Sequence, residues 1–312
     1  MADMRRLTTI ILAILLAIPF FGYAQSFYSV RRDRNLIVSA GTGATKYYGE
    51  LVNPNSIGKV RPNIYAGAEY IILPRISARL DATWFQLSGS DALADVSRRS
   101  RNLSFFSNNF EIDLMGSVRL FADEGTYAKR RPYNFYGLAG IGLLYFNPKT
   151  RYQGDVVALQ PLQTEGVDYN KIQFVIPMGV GVTVKINPFI NFALEGVYRD
   201  TFTDYLDDVS SFNYVDPATL PGGVDGLSAK LADRRGEFNP DVDFTYNPAS
   251  PGRRGNPETD DSYFIVTAKL QFYIPTKFGA SKKLYNTKRK AYKGPKTKGG
   301  MYKVRKSAYK RR

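Results

Sequence analysis

Carboxylates, lysines and tyrosines are the side chains available for chemistry here, because the chain contains no His and no Cys. The usual ligands of zinc and copper, the Ser-His and Cys-His nucleophile systems and disulfide bonds are therefore all excluded. We find no other nucleophile motif in the sequence. The sequence predicts a protein that is not an enzyme and that uses no cofactor and no metal.

One acidic group has a composition that suits a cation. Asp204, Asp207 and Asp208 could give oxygen ligands to calcium, a hard ion that takes about six to eight of them. Their spacing matches no EF-hand loop, so we favour a structural interpretation, in which Tyr205 and Leu206 pack at a rim. In that interpretation the acids cap strand ends or pair with Arg residues such as Arg98, Arg99 and Arg101.

A second acidic pair, Glu111 and Asp113, lies two residues apart on one predicted strand face and could relay a proton. A neutral network of paired charges explains this pair adequately, and we favour it. The glycine pairs Gly140/Gly142 and Gly179/Gly181 lie inside predicted strands, where glycine indicates close packing or a kink instead of a phosphate site.

Alternation of apolar and polar residues with a period of two predicts the strands that position these groups. In the segment 77–87, Leu80 and Trp84 share one face while Arg79 and Asp81 share the other. Similar patterns predict eight strands, near 35–43, 63–72, 77–87, 106–121, 134–146, 172–186, 188–201 and 263–274.

The connections between these strands alternate between short and long, which is typical of outer-membrane barrels. The long ones are 44–62, 88–105, 147–171 and 202–262. Residues 25–274 are therefore predicted to form an all-β, eight-stranded antiparallel transmembrane β-barrel with short periplasmic turns and long extracellular loops. Aromatic girdles are predicted at Phe85, Phe135, Tyr145, Tyr198, Phe202 and Tyr273. A soluble barrel or sandwich, with the polar face outward, would also alternate.

Ten charged residues are predicted to line the barrel lumen, five of each sign. An eight-stranded barrel has room only for side chains, so these charges must pair and form a polar plug. They are Glu69, Arg79, Asp81, Glu111, Asp113, Arg119, Lys185, Glu195, Arg199 and Lys269.

The first 24 residues have the pattern of a secretory signal peptide. Arg5 and Arg6 precede an apolar run over 7–21, and small residues Gly22 and Ala24 occupy the positions of a cleavage site after residue 24. An uncleaved membrane anchor is the alternative, but the run is shorter than the ~20 residues that a spanning helix needs. Export separates the chain from the DNA and ribosomes of the cell, so we expect no nucleic-acid partner.

The net charge of +15 is concentrated at the carboxyl terminus. Of 43 Lys and Arg residues, 15 lie in 275–312, which has no acidic residue, and the other 28 balance 28 acidic residues. Because the number of strands is even, this basic segment is predicted to lie in the periplasm, and its composition predicts that it is disordered. Two similar units around Tyr292 and Tyr309 suggest two equivalent contacts with an acidic partner, and non-specific binding to anionic surfaces is the alternative. The predicted contact residues are Tyr285, Lys288, Arg289, Lys290, Tyr292, Lys293, Tyr302, Arg305, Lys306, Tyr309 and Lys310.

Several loop motifs together resemble a known family. They are Tyr47-Tyr48-Gly49-Glu50-Leu51, Arg101-Asn102-Leu103-Ser104-Phe105, the stretch 160–166, the stretch 203–209, and Arg254-Gly255 ahead of Asp260-Asp261-Ser262-Tyr263. In this order they resemble the PorG-like barrels of the type IX secretion system of the Bacteroidota, over roughly residues 36–274.

The resemblance implies an outer-membrane component of the secretion and gliding machinery, which anchors or organises a periplasmic ring. It also implies partners of the PorK and PorN type, a ring lipoprotein and its companion. The alternative is an OmpA-like barrel at the cell surface that acts as an adhesin or receptor through its long loops. The basic tail lies outside the resemblance.

Overall fold

The alternating segments form the strands of one closed antiparallel sheet, as the sequence predicts. The structure, a computed structural model, describes residues 34–52, 60–93, 96–122 and 130–275. In these residues the strands are β1 (Leu36–Tyr48), β2 (Arg61–Ile71), β3 (Ile76–Ser90), β4 (Ser104–Arg119), β5 (Tyr133–Tyr145), β6 (Pro148–Tyr152), β7 (Asp155–Ala158), β8 (Ile172–Lys185), β9 (Ile190–Thr201) and β10 (Ser262–Ile274).

Eight of these strands close a barrel. Their order is β3-β2-β1-β10-β9-β8-β5-β4, and β3 also pairs with β4, so the sheet has no free edge. The first and last strands pair along their whole length, from Leu36 opposite Ile274 to Tyr48 opposite Ser262. The described part of the chain therefore confirms the predicted eight-stranded antiparallel barrel.

The turns and loops lie at opposite rims. At the short-turn rim, the Asn187 side chain accepts hydrogen bonds from the Phe189 and Ile190 amides at 2.8 and 2.9 Å, which makes a tight turn between β8 and β9. The barrel also begins and ends at this rim, at Leu36 and Ile274. The long-loop rim carries the connections that follow β1, β3, β5 and β9.

The long connections contain structure that the sequence analysis did not predict. Strands β6 and β7 form a hairpin between β5 and β8, with Gln153 and Gly154 at its tip in left-handed conformations. Short helices occur at α1 (Val96–Arg99), α2 (Leu227–Ala232) and α3 (Arg235–Phe238). Among the described residues, no helix has the length and apolar character needed to cross a membrane.

Several strand boundaries differ from the predicted ones, and β1 differs most. It continues to Tyr48, instead of ending near 43, because its ladder with β10 extends to the pair Tyr48 and Ser262. β9 begins at Ile190 instead of 188, since Asn187 and Pro188 belong to the preceding turn.

The apolar face of the strands points out of the barrel and the polar face points in. Leu80, Ile112, Leu114 and Ile141 each expose about half of their surface or more, between 47% and 62%. Their polar and charged neighbours along the strands are buried. This is the reverse of a soluble barrel, whose apolar residues would fill the interior, and it is the arrangement that lipid requires.

Two of the predicted girdle residues are placed differently. Phe85 and Tyr273 are buried and point into the barrel, so the prediction that they face a membrane interface was wrong. Phe85 stacks on Tyr263 with ring centroids 4.9 Å apart, and Tyr273 lies under the Arg130 guanidinium. The other four predicted girdle residues are exposed: Phe135, Tyr145, Tyr198 and Phe202.

Candidate functional site

The strand alternation places nine of the ten predicted lumen charges inside the barrel, where each is no more than 8% exposed. They are Glu69, Arg79, Asp81, Glu111, Asp113, Arg119, Glu195, Arg199 and Lys269. Glycine supports this packing: at Gly181 a Cβ would lie only 2.4 Å from the Tyr136 ring. The glycines within these strands thus make room for interior side chains.

Arg79 is the centre of the largest interior cluster. Its guanidinium contacts Glu195 at 2.7 Å and Asp81 at 2.6 Å. Lys269 forms a second ion pair with Glu195, and the Tyr136 hydroxyl donates a hydrogen bond to the same carboxylate. These contacts join strands on opposite walls of the barrel, such as β3 and β9, so the cluster connects the walls across the interior.

Two further clusters lie beside it. Glu69 pairs with Arg119 at 2.6 Å and accepts a hydrogen bond from Ser77 at 2.6 Å. Arg199 binds Glu111 at 2.9 Å and lies 3.7 Å from Asp113. Neither oxygen of Asp113 accepts a hydrogen bond within the described residues.

The tenth predicted lumen residue is not part of these clusters. Lys185 is half-buried at the short-turn rim, and its ammonium lies 3.5 Å from the Arg130 carbonyl oxygen. The three clusters also contain tyrosines that were not among the predicted lumen residues. They are Tyr65, Tyr136 and Tyr263, whose hydroxyls contact Asp81, Glu195 and Glu111. Tyr65 lies on the same face of β2 as Glu69, so the alternation along this strand could have placed its side chain in the lumen.

The connection between β9 and β10, residues 202–261, fills the mouth of the barrel at the long-loop rim. Leu206 and Val209 are buried there in an apolar cluster with Tyr47, Phe105 and other residues of the strand ends. Tyr205 stacks on Tyr169 with ring centroids 4.7 Å apart. The prediction that Tyr205 and Leu206 pack at the rim is confirmed.

The motif segments that carry the family resemblance meet in this rim. Arg254 binds the Glu165 carboxylate, and it also donates to the Asp208 carbonyl oxygen at 3.1 Å. Arg101 donates to the Arg254 carbonyl oxygen and forms an ion pair with Asp91 at 2.6 Å. Segments far apart in the sequence thus form one connected network.

The three loop aspartates do not converge on one point. Asp207 accepts from the Tyr47 hydroxyl at 2.7 Å, while Asp208 accepts from Thr164 at 2.5 Å and from Tyr169 at 2.6 Å. Asp204 instead approaches Glu50 and Asp261, and one carboxylate oxygen of each of these three residues lies within 4.8 Å of the other two. The carboxylate set that the sequence suggested for calcium is therefore wrong in two of its three members.

Burial dominates the electrostatics of this rim. It raises the pKa of Asp204 to about 8, with further contributions from neighbouring carboxylates. Burial and the Asp204 charge raise the pKa of Glu50 to about 8 as well. The pKa values of Asp207 and Asp261 also lie well above the ordinary range, mainly because both groups are buried. Among the described residues of this rim, the carboxyl groups outnumber the guanidinium groups.

The predicted signal peptide and the predicted contact residues of the basic tail, from Tyr285 to Lys310, lie outside the described residues. Both remain predictions from the sequence.

A closed eight-stranded antiparallel barrel with an apolar exterior and an ion-paired interior defines a class, the β-barrels of the outer-membrane type. Residues 27–216 match the family described as Domain of unknown function (DUF6089). The chain belongs to this family.

Three solved structures are similar to the chain. Neisserial surface protein A (NspA) is 10% identical over 77% of this chain and 97% of that chain, with a TM-score of 0.39. OprG from Pseudomonas aeruginosa is 10% identical over 78% and 97%, with a TM-score of 0.37. A major outer membrane protein from Thermus thermophilus is 10% identical over 76% and 99%, with a TM-score of 0.39. No curated protein matches the chain.

Proposed function

We propose that this protein is a non-enzymatic anchor in the outer membrane, which holds a periplasmic protein assembly through its basic carboxyl-terminal segment. In this proposal the barrel is the membrane-bound part and residues 275–312 are the docking part. The assembly is the ring of a type IX secretion and gliding system, with partners of the PorK and PorN type. The family resemblance of the loop motifs supports this choice of partner.

The observation that carries the proposal is where the chain leaves the barrel. Ile274 ends β10 at the short-turn rim, directly opposite Leu36 at the start of β1. In outer-membrane barrels the short turns face the periplasm. In this proposal the segment of 38 residues that follows, with 15 cationic and no acidic residues, begins in the periplasm. A flexible chain of that length reaches ~35 Å, far enough to contact an assembly beneath the membrane.

The barrel interior supports an anchoring role over a transport role. Ion-paired side chains occupy the lumen around Arg79 and Glu195, and the 202–261 connection packs into the long-loop mouth. Opening a path would require separating buried ion pairs. Each charge that stays buried without its partner costs several kcal/mol.

The test is co-purification from native membranes after cross-linking. A chain truncated after Ile274 should insert into the membrane normally but lose the ring components. The double variant Tyr292→Ser/Tyr309→Ser keeps every tail charge and should lower the yield of partners if recognition is specific. Tyr246→Ser, in the connection at the opposite rim, is the matched control and should leave the yield unchanged.

Normal yield of ring components with the truncated chain, in moderate salt, would show that the tail does not dock them. Deletion of the whole protein separates the proposal from the alternative of a surface adhesin. Loss of export of type IX cargo supports the secretion role, while intact export with lost surface binding supports the adhesin.

A further inference from the structure

Three carboxylates from distant parts of the sequence meet at the long-loop rim. Glu50 follows the end of β1, Asp204 follows β9, and Asp261 immediately precedes β10. One oxygen from each lies within 4.8 Å of the other two. Two oxygens on opposite sides of one Ca²⁺ ion are separated by about 5 Å, so a single ion can contact all three groups.

Asp204 is the residue that needs an explanation. It is only 7% exposed, and neither of its carboxylate oxygens accepts a hydrogen bond of good geometry in the described part of the chain. The nearby Ser210 side chain lowers the pKa of this carboxyl, but burial outweighs that effect. Glu50 has one oxygen in the same condition, Oε2, while its Oε1 accepts from the Asn256 amide at 3.2 Å. A buried carboxylate without partners is costly unless a cation or a proton neutralises it.

The guanidinium groups beside these acids are engaged elsewhere. Arg101 forms its ion pair with Asp91, and it contacts Glu50 at the backbone carbonyl oxygen, 3.2 Å away. Arg98 donates to the same carbonyl oxygen at 2.8 Å. Arg254 is paired with Glu165. These backbone contacts position Glu50, and the Arg101 charge offsets only a small part of the effect of burial on its carboxyl group.

Tyr47 cannot neutralise the cluster either. Its hydroxyl lies 2.6 Å from Asp261 Oδ1 and 2.7 Å from Asp207 Oδ2, but it has one hydrogen to donate. The backbone is shaped for close approach at the same point: a Cβ on Gly49 would lie 2.0 Å from Asp261 Oδ1 and 1.9 Å from the Tyr47 hydroxyl. Among the described residues, the structure thus brings the three acids together without a guanidinium or ammonium paired to their carboxyl groups.

We propose that Glu50, Asp204 and Asp261 bind one calcium ion at the long-loop rim. The set contains only carboxylate oxygens, the ligands that hard cations prefer, and has no nitrogen or sulfur to select zinc or copper. Calcium suits it better than magnesium because calcium accepts irregular coordination and longer bonds. The ion ties the loop after β1 to both ends of the 202–261 connection and so holds that connection in the barrel mouth.

The experiment is calorimetric titration of the full chain in detergent, after removal of divalent cations and lipopolysaccharide, with CaCl₂ as the probe. We expect one equivalent of calcium to bind with a dissociation constant of about 10⁻⁴–10⁻³ M, the range of extracellular calcium modules, and magnesium to bind at least about tenfold more weakly. Asp204→Asn and Glu50→Gln should each weaken calcium binding about tenfold or more. Asp243→Asn changes an exposed acid of the same connection and should leave binding unchanged.

Absence of calcium binding to the wild-type chain at about 10 mM, well above the expected dissociation constant, would overturn the proposal. Unchanged binding in Asp204→Asn would overturn it too. Folding of each variant is checked by the shift in gel mobility of the barrel on heating. The wild-type titration can refute the site by itself, so the test remains valid even if a variant does not fold.

Discussion

Ion pairs hold the interior side chains in place, and one cation can pair with two carboxylates. Among the described interior residues, five carboxylates are close to four cations, and Arg79 alone contacts both Asp81 and Glu195. Removing one member of a buried ion pair exposes the other to an environment with no solvent to replace it. Cations shared in this way should therefore matter more to stability than charges on the surface.

Arg79→Met tests this directly. The substitution keeps most of the side-chain volume, but it removes the guanidinium contact of Asp81. It also leaves Lys269 as the remaining cation beside Glu195. We expect the free energy of unfolding in lipid vesicles to fall by about 3–5 kcal/mol, as when a buried ion pair is broken. Arg75→Met, at an exposed position in the β2–β3 turn, is the control and should cost about 0.5 kcal/mol or less. Equal losses from the two variants would contradict the interior network.

Asp208 gives the rim a pH dependence of definite sign. Burial raises its pKa from the ordinary 3.8 to about 6, with hydrogen bonds from Thr164 and Tyr169 acting in the opposite direction. Between these values the folded rim binds a proton that the unfolded chain has released. The resulting stabilisation is present at low pH and is lost as the pH rises through about 6.

Asp208→Asn should therefore flatten the pH profile of rim stability. In the wild type, the resistance of the 202–261 connection to proteolysis should fall between about pH 4 and pH 6, by up to about 3 kcal/mol of local stability. Asparagine tolerates the left-handed backbone of this position, where φ is 69°. Asp241→Asn, at an exposed position, should keep the wild-type slope, whereas Asp208→Asn should reduce it to the part that the other buried rim carboxyls contribute. A slope in Asp208→Asn equal to that of the wild type would show that Asp208 does not contribute.

At the scale of elements, the 202–261 connection forms a plug, which packs against the strand ends through a shared apolar cluster. Leu206 is completely buried among strand-end residues, while Leu227, in the same connection, is 39% exposed. Leu206→Ala should destabilise the plug by about 2–5 kcal/mol, because it leaves a cavity.

The expected readout of Leu206→Ala is faster hydrogen exchange and proteolysis of the plug, with the heat resistance of the barrel preserved. Leu227→Ala should change exchange little. If both variants accelerate exchange equally, the plug is not held by the buried cluster.

The strands were predictable from sequence to the extent that their two faces differ. In β3 the alternation of Leu80 with Arg79 and Asp81 predicts the strand and its two faces, whereas which face points inward depends on whether the barrel lies in a membrane. The girdle prediction failed for Phe85 and Tyr273 because it used their aromatic character and not the strand face that they occupy. Phe85 lies on the same face of β3 as Arg79, and Tyr273 lies on the same face of β10 as Lys269, so alternation would have placed both inside the barrel.

The loops were less predictable because their contacts join residues far apart in the sequence. The hairpin β6–β7 did carry a local signal, Gln153-Gly154, which suits a two-residue turn. In contrast, nothing local relates Glu50 to Asp204 and Asp261. They meet because the β1–β10 and β9–β10 ladders bring their flanking residues to one rim, so this grouping required the closed barrel.

At the scale of the whole molecule, the exposed apolar belt is expected to contact lipid. Leu114→Arg places a charge in the middle of β4, on the outer face, and should cost about 2–4 kcal/mol of stability in a bilayer. Val156→Arg, equally exposed but on the β6–β7 hairpin beyond the barrel wall, is the control and should cost little. Folding yield in lipid vesicles measures the difference, and equal yields would place Leu114 outside the bilayer.

Cysteine labelling in intact cells tests the central claim, a barrel that displays its long loops outside and its tail in the periplasm. The chain has no native Cys, so single substitutions report without background. A membrane-impermeant maleimide should label Asp243→Cys in intact cells, and should label Ser307→Cys only after the outer membrane has been permeabilised. Labelling of Ser307→Cys in intact cells, or protection of Asp243→Cys, would contradict the orientation and with it the periplasmic anchor.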